Sequence, residues 1–206
     1  MVRFFSIGVE SASASVLLIP VLLACIQLFR RNMTALRKGL LVVFTIYLAA
    51  VFAATGMPSV INCAFGPRFN LVPLVECVHE TPLYLMNTAL NILLFIPFGF
   101  FVPLLWRQMR SAGKTALCGL AFSMFIEFAQ MFSGRLTDID DLIMNTTGAV
   151  IGFYLANLLY EKVAVAYDLH EFGRHGTAEL LSIILFTFII MFCTQPFISG
   201  IIWRLL

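Results

Sequence analysis

The stretch SMFIEFAQMFSGRLTDIDDLIMNTTGAVIG, residues 123–152, decides how the rest of the chain is read. An apolar segment carrying Glu127 and Gln130 runs into a short turn with Arg135, Asp138, Asp140 and Asp141. A second apolar segment, opened by Asn145, follows. If both apolar segments are membrane helices, the turn brings all of these polar groups to one end of the bilayer. Within the first segment Gly119, Ser123, Glu127, Gln130 and Gly134 recur at steps of three or four, which draws a narrow small-and-polar stripe along one helix face. Such a face looks into protein. A carboxylate at the bilayer centre costs about 3 kcal/mol, so Glu127 needs a partner, a proton or a wet cavity.

Composition sets the class. Of the 206 residues 61% are hydrophobic and only 12% charged, which a soluble domain does not sustain. A helical span takes about 20 apolar residues. The apolar runs predict an all-α bundle with spans at about 4–29, 39–56, 83–106, 115–133, 141–160 and 180–203, in one transmembrane domain over 1–206. The first run places its small residues, Ser11 to Ser15, before the apolar core, the reverse of a signal peptide, and is read as a retained span. Pro97 and Pro103 predict a kink in the third span. Residues 57–82 form the longest loop, punctuated by Gly66-Pro67 and Val72-Pro73, and read as surface-lying or re-entrant. The net charge of +2 says little by itself, because in a membrane protein the distribution of Lys and Arg matters more than their sum, and no nucleic-acid partner is expected.

Orientation follows from the 13 basic residues. Arg30, Arg31, Arg37, Lys38, Arg107, Arg110, Lys114, Lys162 and Arg174 fall on one side of the six spans, and Arg3, Arg68, Arg135 and Arg204 on the other. The richer side is expected to be cytoplasmic, which turns the loops 57–82 and 134–140 outward. Five cysteines match no metal spacing. Cys25, Cys118 and Cys193 read as buried small hydrophobes, while Cys63 and Cys77 share the outward loop. A bridge between them would close a loop of about 15 residues and contribute roughly 3 kcal/mol.

Each polar group has two readings. Glu127 is either a strut paired with Arg135 or Arg68, or a ligand-contacting or acid/base group. Thr137 with Asp140, or Asp138 with Asp141, fits an N-capping box, and negative charge suits a helix N-terminus. One carboxylate remains surplus, free to meet a cationic group or a divalent ion, although no metal motif is matched. Gly148, Gly152 and Ala156 have close-packing spacing. Asn145, Asn87 and Asn91 read as interhelical glue or ligand contacts. The set Arg68, Asn70, Asn91, Glu127, Gln130, Arg135, Asp138, Asp141 and Asn145 shares one membrane level and predicts one polar pocket. Glu127, Asp138, Asp140 and Asp141 are the candidate catalytic groups. Gly134 is expected to end the fourth helix and bring Arg135 back over the pocket mouth.

Phe65-Gly-Pro-Arg-Phe-Asn-Leu-Val-Pro73, Asn91-Ile-Leu-Leu-Phe-Ile-Pro-Phe-Gly-Phe100, Glu127-Phe-Ala-Gln-Met-Phe-Ser-Gly-Arg135, Asp138-Ile-Asp-Asp141 and Asn145-Thr-Thr-Gly148 resemble the VanZ-like family in order and spacing. The resemblance covers 39–160 and leaves 1–38 and 161–206 as additional flanking spans. It implies a small multi-pass protein of the bacterial envelope, in a family named for a member that gives resistance to teicoplanin, a lipid-tailed glycopeptide. Two functional classes stay open. One is a non-enzymatic protein that lowers antibiotic access or binds a lipid-linked ligand. The other is a membrane-embedded enzyme acting on a lipid or lipid-linked cell-wall precursor, with Glu127 or an aspartate as acid/base and Arg68 and Arg135 on phosphate. Membrane lipids, a lipid-linked precursor or a lipoglycopeptide are the partners implied, and no cofactor is called for.

Overall fold

A computed structural model describes residues 2–29, 33–70, 72, 81–167, 176–194, 196–197 and 200–201. Its α-helices are α1 (Val2–Phe29), α2 (Ala35–Thr55), α3 (Thr81–Leu105), α4 (Ala112–Gln130), α5 (Ile139–Tyr167) and α6 (Thr177–Cys193). Five of them, α1 to α5, contain segments long and apolar enough to cross a membrane, and α6 is a shorter apolar helix. This is the all-α, multi-pass architecture expected from the apolar runs. Two short strands were not expected: β1 (Arg68–Asn70) and β2 (Leu136–Asp138) pair in parallel, with Arg68 opposite Leu136 and Asn70 opposite Asp138.

The chain forms two compact units, residues 1–64 with 178–206, and residues 65–177. In the first, Thr34 caps α2 by accepting the Arg37 backbone N–H, and Gly56 ends it in the left-handed conformation at φ 66°. The helix therefore begins four residues before the predicted Gly39 and carries Arg37 in its first turn. That guanidinium is buried and donates to Glu179 Oε2, in the first turn of α6, at 2.7 Å. A cation at a helix N-terminus opposes the macrodipole, and the carboxylate offsets it. Phe52 meets Phe188 edge-on further along the same two helices.

In the second unit α3 and α5 run parallel with α4 antiparallel to them. Phe98 stacks on Phe122 at 4.8 Å between centroids, and Phe95 adds a tilted contact to the same ring. Lipid tails are as apolar as these rings, so packing and polar satisfaction, more than water exclusion, hold the helices together. The glycines let backbones approach. A Cβ on Gly99 would lie 1.9 Å from the Ala149 carbonyl oxygen, and one on Gly152 2.1 Å from that of Ile96. Helix α3 continues through Pro97 and Pro103, neither of which has an N–H to donate to the carbonyl four residues back. Leu93, Leu117, Phe128 and Leu158 are exposed, the lipid-facing remainder of each helix. Cys25 and Cys193, expected to be buried, are likewise exposed at such positions. Cys63 is exposed, and Cys77 lies outside the described residues, as do Pro73 and His79.

Candidate functional site

The site forms where α4 ends and α3 and α5 begin. Gly134, at φ 68°, turns the chain after α4, and the Arg135 N–H returns to the Gln130 carbonyl at 3.3 Å in a Schellman-type closure. Helix α4 itself ends at Gln130, three residues before the expected Ser133, and Gly134 then turns the chain and brings Arg135 back to the helix end. Strand β2 then delivers Asp138 as the N-cap of α5, where its Oδ1 accepts the Asp140 N–H at 3.0 Å. In a capping box the side chain three residues on would take the cap residue's own N–H. Here Glu127, on the neighbouring helix, takes it instead: its Oε2 accepts the Asp138 N–H at 3.1 Å.

That substitution frees the other two aspartates for partners on α3. Tyr84 donates its hydroxyl to Asp140 Oδ2 at 3.3 Å, and Asn91 donates its amide to Asp141. Asn70, from β1, donates to Asp138 Oδ2 at 3.3 Å. Beneath them Asn145 donates to the Ser123 hydroxyl at 2.9 Å. Ser123, Glu127, Gln130, Asp140 and Asn145 are all buried, so the small-and-polar stripe of α4 does face protein.

The Glu127 and Asp141 carboxyl groups meet within hydrogen-bonding reach of each other. Two such groups repel when both are ionised, and the repulsion is relieved by a proton between them or by a positive group of a ligand. Neither Arg135 nor Arg68 is in an ion pair with Glu127, so of its two readings the strut to an arginine is not the arrangement seen. Arg135 acts on Asp141 through space. Both arginines are exposed, and Arg68 is paired in the β1–β2 register with Leu136, the residue after Arg135.

Of the residues singled out from sequence, Asn70, Asn91, Glu127, Asp138, Asp140, Asp141 and Asn145 are joined through hydrogen bonds or direct contact in this region, with Gln130 buried one turn from Glu127 and the two arginines at the rim. Tyr84, Ser123 and Thr137 also belong here, the last donating its hydroxyl to the Glu127 carbonyl at 3.4 Å. Tyr84 had a readable signal: it lies seven residues before Asn91, two turns along the same helix face. Asn87, by contrast, is exposed. Among the described residues no group of three or more His, Cys, Asp or Glu has metal-holding geometry.

Apolar helices of spanning length and a buried carboxylate and amide cluster at one helix end define a multi-pass helical membrane protein. The sequence model of the VanZ/LLP1 family matches residues 40–160, more than half of the chain, and the chain belongs to that family. No curated protein and no solved structure matches it.

Proposed function

We propose that the protein acts in the bacterial cell envelope by holding the headgroup of a lipid-linked ligand at the outer leaflet, and that this occupancy lowers the access of teicoplanin-type lipoglycopeptides. The observation that carries the reading is a carboxylate pair, buried Glu127 against half-buried Asp141, that neither rim arginine neutralises by contact. A ligand bringing hydrogen-bond donors or a positive group to the carboxylates, and a phosphate to Arg68 and Arg135, would complement both layers. The distribution of Lys and Arg supports an outward-facing site.

The same pair favours a second reading, an enzyme acting on a lipid-linked precursor, because adjacent carboxyls with different surroundings are suited to divide acid and base roles. The two readings part on one substitution. Glu127→Gln keeps an oxygen for the Asp138 N–H but cannot exchange a proton. Under the binding reading the variant retains part of the wild-type ligand occupancy and of the resistance phenotype. Under the enzymatic reading it retains the ligand and loses all turnover. Lipid mass spectrometry of the purified wild-type and variant proteins reads the ligand directly. If neither protein carries an undecaprenyl-linked or other lipid species above that of an unrelated membrane protein, the headgroup assignment fails.

A further inference from the structure

Three carboxylates of the 65–177 unit outnumber the positive charge that the chain places beside them. Glu127, Asp138 and Asp141 act on one another electrostatically. The donors that serve them are neutral: the Asp138 N–H for Glu127, the Asp140 N–H and the Asn70 amide for Asp138, and the Asn91 amide for Asp141. Among the described residues none of the three is in an ion pair, and Arg135 reaches Asp141 only through space. The N-terminus of α5 adds about half a positive charge. A negative surplus remains. One turn deeper lies an acceptor with no donor. Asn145 is 4% exposed, its Nδ2 donates to Ser123 Oγ at 2.9 Å, and its Oδ1 is buried with no hydrogen-bond partner among the described residues. Side chains on a helix lean toward its N-terminus, so Asn145 leans toward Asp141, four residues earlier on the same face of α5. A buried acceptor left without a donor is costly. The carboxylates call for positive charge and the amide oxygen for an N–H, and an ammonium group supplies both.

Resting on the reading that a lipid headgroup is held here, we propose that this headgroup carries a primary ammonium beside its phosphate, as an aminoethyl phosphate does. The ammonium goes to Glu127, Asp141 and Asn145, and the phosphate to the exposed Arg68 and Arg135. A primary ammonium has three N–H donors, and these three side chains offer it an acceptor each. It is also about the size of a water molecule, which suits a place where Glu127 and Asn145 are buried and Asp141 is half-buried. A trimethylammonium is larger and has no N–H to give. A headgroup with a phosphate and no amine would serve the arginines but bring a further negative charge toward the carboxylates.

The test is native mass spectrometry of the full-length protein in detergent, titrated in turn with phosphatidylethanolamine, phosphatidylcholine and phosphatidylglycerol of the same acyl chains. Wild type is expected to retain phosphatidylethanolamine about tenfold better than either of the others. Asp141→Asn keeps the side chain's shape and an oxygen for Asn91 but removes the charge, and is expected to lose most of that preference. Asn145→Leu combined with Ser123→Ala, which removes the orphan oxygen together with the partner it would strand, is expected to weaken it as well. Equal retention of phosphatidylethanolamine and phosphatidylcholine by wild type overturns the primary ammonium, and so does a preference for phosphatidylglycerol. Either result leaves the lipid-headgroup reading standing, whereas retention of no lipid, undecaprenyl phosphate included, removes both. An unchanged preference in folded Asp141→Asn protein overturns the placement of the ammonium. Tighter retention of soluble phosphoethanolamine than of the phospholipid would identify a free aminoalkyl phosphate as the ligand and overturn the lipid assignment.

Discussion

Two buried polar features of this protein are built on opposite principles. In the unit formed by 1–64 and 178–206, Arg37 and Glu179 meet at 2.7 Å with side chains 4% and 16% exposed, so charge cancels charge and nothing further is asked of the site. In the 65–177 unit, Glu127 and Asp141 bring like groups together, held by backbone and amide donors without a cation in contact. The first arrangement pairs opposite charges. The second is stable only because its hydrogen bonds come from rigid places, namely a helix cap, a strand and an adjacent helix, and it leaves chemistry available to something that binds. Opposite charges paired out of water read as structure, and like carboxyls held together read as a candidate site.

Substitutions test that contrast on one scale, the free energy of unfolding in detergent. The largest effect is expected from Arg37→Ala or Glu179→Ala, which strands one buried charge and costs about 3–5 kcal/mol, while Arg37→Met with Glu179→Leu restores most of it. Next is Gly99→Ala, which drives a Cβ into the Ala149 carbonyl and costs about 3 kcal/mol through forced helix separation. Smaller is Glu127→Gln, which removes a repulsive charge yet keeps the acceptor for the Asp138 N–H. Its stability should stay within about 1 kcal/mol of wild type while ligand occupancy falls. If Glu127→Gln destabilised the protein as much as Arg37→Ala does, the two features would be of one kind and the contrast would be lost.

Smallest is Arg135→Gln, an exposed position, within about 0.5 kcal/mol in unfolding. It is still expected to reduce retention of a phosphate-bearing ligand. On the proposal that both groups serve one bound headgroup, Arg135→Gln combined with Glu127→Gln should lose no more ligand than the worse single variant. Additive losses in a binding titration would show that they serve separate ligands.

The helices were legible because apolar runs of spanning length have few alternatives, and the face of α4 was legible because a helix periodicity survives within one segment. What escaped was set by residues far apart in sequence. Helix α2 begins at Ala35, although Arg37 and Lys38 mark a water-facing loop by composition, because a carboxylate 142 residues away accepts Arg37 inside the protein. The β1–β2 pair escaped for the same reason, each strand being three residues long with no pattern of its own. At the site, the capping spacing around Asp138 was readable, and the back-reach from Glu127 was not. It replaces a local partner with one on another helix. The surplus carboxylate expected from sequence is accounted for by α3, through Tyr84 for Asp140 and Asn91 for Asp141.

The short parallel ladder between Arg68–Asn70 and Leu136–Asp138 also measures depth. Each strand has one edge in the pair and another facing away from it, and the peptide groups along that outer edge need hydrogen-bond partners. Hydrocarbon supplies none, which is why open strand edges do not occur against lipid tails. An outer edge that no protein group covers belongs at headgroup level, where water reaches it. Asn70 and Asp138, the ladder's last paired residues, tie that edge to Glu127, which accepts the Asp138 N–H. On the proposed function, a ligand would then present its polar end to these carboxyls without leaving the bilayer, and its tails would never cross into water.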